Sequence, residues 1–116
     1  AASDVYKRQG DGELVGRNLD SMIERWPDWT EAWNKRATLR FMQERDQDSV
    51  LDIIETLKRE PRHFGALSGL GQICLRAGDG RSALACFEQA LTVHPQLESA
   101  RDVVRALRED VDNLVH

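Results

Sequence analysis

Three observations predict an all-α fold, an α-solenoid of antiparallel helical hairpins with a C-terminal capping helix. The three prolines, Pro27, Pro61 and Pro95, stand at equal intervals of 34 residues, and a fixed period of that length signals stacked helical units. Small residues return in the same register, Ala37 with Gly71 and Ser49 with Ala83, where backbones must cross closely. Large apolar residues fill the space beside them: Trp33, Leu39, Ile53, Leu57, Leu70, Ile73, Phe87 and Leu91. They recur at three- and four-residue steps, the period of an amphipathic helix.

The elements follow in order. Residues 1–9 resemble a translated sequencing adaptor, and no Met opens the chain. The expectation is a non-native tail, with part of the natural N-terminus missing; a genuine N-terminal tail is the alternative. Residues 10–29 read as a partial repeat keeping only its second helix, near 13–25, with an apolar stripe of Val15, Leu19, Met22 and Trp26. That stripe calls for an earlier helix, so the sequence predicts exposed apolar surface and self-association there. A complete repeat occupies 30–63, with helices near 30–43 and 47–59 and capping-box spacing between Asp28 and Glu31. A second occupies 64–97, with helices near 64–77 and 81–93 separated by the stop-and-start signal Gly78-Asp79-Gly80. Each proline falls just past a helix end, where its missing N–H costs little. Residues 98–116 read as the capping helix, beginning near Leu97, with the natural chain ending near His116. Leu97, Ala100, Val104, Leu107, Val111 and Leu114 form one stripe, and Arg101, Asp102, Arg105, Arg108 and Glu109 the other face. Such a helix covers the last repeat of a solenoid and keeps it in solution.

The register also carries a resemblance. Residues 64–97 read Leu67-x2-Leu70-Gly71-x2-Cys74, then Ala83-x3-Phe87-x2-Ala90, then Pro95. Residues 30–63 read Trp33-x2-Arg36-Ala37-x2-Arg40, then Ser49-x3-Ile53-x2-Thr56, then Pro61. This resembles the tetratricopeptide repeat, whose signature is Trp-x2-Leu-Gly-x2-Tyr, Ala-x3-Phe and Pro over about 34 residues. The departures are Leu67 for Trp, Cys74 and Arg40 for Tyr, Arg36 for Leu and Thr56 for Ala. The first repeat is the looser match. A general likeness to Arg- and Ala-rich repeat proteins implies a soluble bacterial protein of the cytoplasm or periplasm.

Composition narrows the function. Sixteen basic residues stand against twenty acidic ones, a net charge of −4, and no basic cluster of the kind nucleic acid requires is present. No apolar run is long enough to insert in a membrane. Groups for catalysis or metal binding do not converge in the sequence. His63, His94 and His116 each lack a ligand partner at i+3 or i+4 and read as solvated. Gly69-Leu70-Gly71 lies inside a helix, without the strand and Lys-Ser/Thr of a phosphate loop. The carboxylate pairs Asp46/Asp48 and Asp110/Asp112 read as caps or solvated charges. Cys74 and Cys86 read as small apolar fillers, a disulfide requiring that their helices bring the sulfurs together. The expectation is a non-enzyme without cofactor or metal.

What remains is an interaction module. The first helix of each repeat lines the concave side of such solenoids. The candidate binding residues are Glu31, Asn34, Lys35, Thr38 and Phe41 in the first repeat, with Met42 beside them. In the second they are Ser68, Gln72, Leu75 and Arg76, with Gly65 and Gly69. Two cations, several amides and hydroxyls, and small residues that admit a close chain suit a peptide or protein segment of acidic character. The terminal-carboxylate clamp of some relatives is set aside, because Thr38 and Gly69 stand where it uses Asn. A purely scaffolding repeat, or a regulatory appendage of a larger protein, are the competing readings. Arg36 occupies a core aliphatic position; it either pairs with Asp28 or Asp52, or runs out to solvent along its own stem.

Overall fold

The computed structural model describes residues 9–115, with side chains from 11 to 110. The tail 1–8, His116 and the side chains of Val111 and Leu114 lie outside this range. The described residues form six helices: α1 (Gln9–Arg25), α2 (Thr30–Met42), α3 (Asp46–Arg59), α4 (Phe64–Arg76), α5 (Gly80–Val93) and α6 (Glu98–Val115). They divide into two compact units, one ending at Pro61 and the other beginning at Arg62. Helix α1 starts at Gln9, four residues earlier than the expected helix near 13–25.

In the first unit, α2 and α3 form an antiparallel hairpin, and α1 packs on α2. The crossing is made by small residues: Ala37 and Ser49 are both buried, and Ser49 Oγ donates to the Ala37 carbonyl at 2.7 Å. Thr56 is fully buried and turns its hydroxyl back to the Asp52 carbonyl at 2.8 Å. Ile23, outside the expected α1 stripe, is buried; within the stripe Leu19 is buried and Val15 and Met22 are half-buried. Trp26, expected among them, is 51% exposed.

The second unit repeats the hairpin with α4 and α5, and α6 packs on α5. Ala83, Phe87, Ala100, Val104 and Leu107 make its core. Gly71 is required by close approach: a Cβ there would stand 2.6 Å from the Phe87 ring. The apolar stripe of α6 is covered, with Ala100, Val104 and Leu107 buried, whereas Arg101, Asp102, Arg105, Arg108 and Glu109 are exposed.

Both hairpins turn in the same way. At the end of α2, Arg45 N–H bonds to Arg40 O at 2.8 Å and Glu44 N–H to Phe41 O at 3.0 Å. At the end of α4, Asp79 N–H bonds to Cys74 O at 2.9 Å and Gly78 N–H to Leu75 O at 3.0 Å. These are corresponding residues one period apart, and the pattern satisfies carbonyls that a helix end otherwise leaves open. It requires one left-handed residue. Gly78 takes φ 79° in the second turn, and Glu44 takes φ 59° in the first.

Capping differs from expectation at one end. Trp29, not Asp28, is the N-cap of α2, and no side chain closes it, so the Asp28/Glu31 box does not form. Asp79 does cap α5, its Oδ1 accepting from Ser82 N–H at 3.1 Å. His63, expected to be solvated, is half-buried and caps α4 by accepting from Ala66 N–H at Nδ1. His94 is likewise half-buried, its ring edge-on to Phe64 with centroids 5.0 Å apart.

Candidate functional site

Each first helix carries one buried face and one polar face. On α2 the buried residues are Thr30, Ala32, Ala37 and Leu39. Glu31, Lys35 and Thr38 are exposed, while Asn34, Phe41 and Met42 are half-buried. Thr38 Oγ1 donates to the Asn34 carbonyl at 3.1 Å, a local bond that leaves the Lys35 ammonium at the surface. On α4 the buried residues are Ala66, Leu67, Gly71 and Ile73. Gln72 and Arg76 are exposed, and Gly65, Ser68, Gly69 and Leu75 are half-buried. Leu75 packs against the core of the second unit, and Ser68 Oγ is buried without a hydrogen-bond partner. Within each helix, steps of three and four residues put these positions on one side.

A cavity of about 300 Å³ opens in the first unit, on a different side of α2. Gly12, Glu13, Gly16, Arg17 and Asp20 of α1 line it with Arg36, Leu39, Arg40, Gln43 and Arg45. Four guanidinium groups therefore border one concavity. Two of these, Arg36 and Arg40, belong to a polar cluster across the α2–α3 hairpin. Asp52, only 1% exposed, receives Arg36 Nε at 3.0 Å and Nη2 at 2.8 Å, and Arg40 Nη1 at 3.0 Å. Arg36 Nη1 also reaches Asp20 at 2.8 Å. Of the two partners expected for Arg36, the structure uses Asp52 and not Asp28, and it adds Asp20. Donation to the Asp52 carboxylate holds the Arg36 pKa above the ordinary arginine value despite partial burial, and donation to Asp20 adds to the effect. A half-buried guanidinium is stable only with such compensation.

Aromatic residues frame the other end of this unit. The guanidinium groups of Arg36 and Arg59 both lie over the Trp33 ring, at 5.3 Å and 4.8 Å from its centroid. Trp33 Nε1 and Arg59 Nε both donate to the Pro27 carbonyl at 2.8 Å, which ties the α1–α2 loop to the hairpin. Trp26 and Trp29 meet edge-to-face at 6.4 Å, and both are about half exposed.

The second repeat fills the corresponding positions differently. Leu70, Cys74 and Cys86 stand one period from Arg36, Arg40 and Asp52. Both thiols are free and half-buried. Cys86 has its pKa pushed up to about 11, first by burial and then by the neighbouring Cys74. Sequence reasoning singled out Arg36, with Asp52 among its expected partners, and noted Arg40 only as a departure from the repeat pattern, not as a second partner of Asp52. The signal was the joint change of all three positions between the repeats.

A doubled hairpin with conserved turn bonds and small-residue crossings defines an α-helical repeat protein. No protein-family model matches the chain. A curated relative, a TPR repeat-containing protein of Rhizobium etli, is 41% identical over 91 residues, 78% of this chain. The aligned stretch is 45% of that relative, so this chain spans under half its length. Together with the hairpins and their period, the likeness assigns the chain to the tetratricopeptide repeat proteins. Among the described residues, no helix is long and apolar enough to cross a membrane.

Proposed function

We propose that the chain is a non-catalytic protein-interaction module that takes peptide or partner-protein segments on the polar face of the first helix of each hairpin, α2 in the first unit and α4 in the second. The observation that carries this reading is the alternation along both helices. Ala32, Ala37, Leu39, Ala66, Leu67, Gly71 and Ile73 are buried, whereas Glu31, Lys35, Thr38, Gln72 and Arg76 are exposed. The positive charge of Lys35 and Arg76 favours a ligand with acidic character. Cys74 packs on the core of the second unit, His63 caps α4 and the His94 ring lies against Phe64.

A random-peptide display selection on the whole chain tests the proposal, with Lys35→Glu/Gln72→Ala/Arg76→Glu selected in parallel. A shared acidic motif recovered by the parent and lost with the variant is the expected result. Recovery of the same motif by both proteins places the ligand elsewhere, and no enrichment by either favours a scaffolding repeat. Self-association is a second reading, favoured by the exposure of Leu14 (53%), Trp26 (51%) and Trp29 (47%). Sedimentation equilibrium should then show a weight-average mass rising with concentration, and Trp26→Ser/Trp29→Ser should abolish the rise.

A further inference from the structure

We propose that the cavity between α1 and α2 in the first unit binds a small oxyanion, a phosphate or carboxylate group carried on a small molecule. This goes beyond the peptide reading, because Glu31, Lys35 and Thr38 of that face do not line the cavity. The observation that carries it is the use made of the guanidinium donors. A guanidinium has N–H donors at Nε, Nη1 and Nη2 and no acceptor. Arg36 donates from all three, to Asp52 twice and to Asp20 once. Arg40 donates only from Nη1, to Asp52 at 3.0 Å and to the Asp48 carbonyl at 3.5 Å. Among the described residues nothing accepts from its Nε or Nη2, although the side chain is only 20% exposed. Arg45 puts Nε and Nη2 on Asp48 and leaves Nη1 over. Arg17 has no acceptor among the described residues.

Excess charge is not what selects the ligand. Glu13 and Asp20 line the cavity with the four arginines, and Asp52 and Asp48 pair with Arg36, Arg40 and Arg45. The charges balance, so recognition rests on directed donors. Asp52 holds Arg36 and Arg40 in place before any ligand arrives, which lowers the ordering cost of binding. The planar fork of a guanidinium matches the oxygens of carboxylate and phosphate alike. A volume of about 300 Å³ suits a small ligand.

Two further observations agree. In the second repeat Leu70, Cys74 and Asp79 stand one period from Arg36, Arg40 and Arg45. The hairpin therefore forms without arginines there, and buried ion pairs of this kind are often no more stable than apolar residues in their place. At Gly16, a Cβ would meet Leu39 Cδ2 at 3.5 Å, an ordinary contact. Packing of α1 on α2 does not demand glycine at that position, and glycine weakens a helix; its effect is to leave the cavity wall open.

The test is an NMR titration of the isotope-labelled whole chain with inorganic phosphate and, separately, with succinate, at constant ionic strength. The expected result is saturable movement of the Gly12 and Gly16 amides together with the Nε–H signals of Arg17 and Arg40. Arg101 and Arg105, exposed on α6 in the second unit, should stay in place. The probe that saturates at lower concentration identifies the group bound. Arg17→Gln should weaken binding about tenfold or more, the share of one charge-assisted hydrogen bond. Glu13→Gln, which removes a repelling carboxylate, should tighten it. Both positions are exposed, and an unchanged thermal midpoint without the anion checks that each variant is folded. Shifts that stay linear with concentration, shifts shared equally by the α6 arginines, or an affinity indifferent to both substitutions would each overturn the proposal.

Discussion

Arg36 and Asp52 meet side-on across the first hairpin, Nε to Oδ2 at 3.0 Å and Nη2 to Oδ1 at 2.8 Å. A parallel pair of charge-assisted bonds of this kind fixes orientation as well as charge. Because Asp52 is almost wholly buried, removing it leaves two guanidinium groups facing an apolar hole. Asp52→Ala should therefore cost about 3–5 kcal/mol in urea unfolding. The joint replacement Arg36→Leu/Arg40→Cys/Asp52→Cys, which writes the second repeat's residues into the first, should cost less than that single change. A larger loss in the triple variant would mean that the cluster is a net source of stability.

Glu44 carries the left-handed conformation that Gly78 supplies one period later. A side chain in that region is strained by its own Cβ, and glycine is not. Glu44→Gly should raise stability by up to ~1 kcal/mol, read as a higher thermal midpoint with the helical content unchanged. A fall in the midpoint would show that the Glu44 backbone is held without strain.

Gly71→Ala tests the second crossing. Alanine is the better helix former by about 1 kcal/mol, yet its Cβ would lie 2.6 to 2.9 Å from three atoms of the Phe87 ring. Overpacking of a tight core costs about 1–3 kcal/mol, so the net change should be a loss. Phe87→Leu, destabilising alone, should cost less when combined with Gly71→Ala. Simple additivity in a double-mutant cycle would argue that the ring moves aside freely.

The cap of α5 responds to acid. Hydrogen bonds from Ser82 hold the Asp79 carboxyl below the ordinary aspartate value of 3.8. A depressed native-state pKa gives stability that is present above the unfolded value and lost as pH falls through the folded one. Melting between about pH 5 and pH 2 should therefore drop less steeply in Asp79→Asn, which keeps the capping oxygen without the charge. Glu55 is also held low, by Arg59 and then Lys58. The parent and variant share that contribution, so their difference isolates Asp79.

Much of the architecture was legible because periodicity and small-residue register act along the chain. The intervals of Pro27, Pro61 and Pro95 and the Ala37/Ser49 and Gly71/Ala83 crossings depend on spacing alone. The polar cluster was only half legible. Arg36 stood out at an aliphatic position, but its second carboxylate, Asp20, comes from α1 at a distance that no local pattern encodes. The Asp28/Glu31 spacing misled for a related reason. The chain leaves the α1–α2 loop with Trp29 at the N-cap, and the Pro27 carbonyl accepts from Trp33 and Arg59. Tertiary bonds therefore set the entry to α2. The candidate binding face was read from helical spacing. Spacing could not reveal that Leu75 is engaged with the core of its unit or that the Ser68 hydroxyl is covered.

The unlike contents of the two hairpins also constrain how the chain can assemble. If α2 were to pair with α5, Arg36 and Arg40 would face the neutral Cys86 and lose the buried carboxylate that balances them. If α3 were to pair with α4, Asp52 would be enclosed by Leu70 and Cys74 with no cation to receive it. Either mismatch strands charge in an apolar setting, at a cost of several kcal/mol. The two hairpins share one backbone pattern, and this divergence gives each helix a reason to refuse the other's partner during folding and against exchange between neighbouring chains.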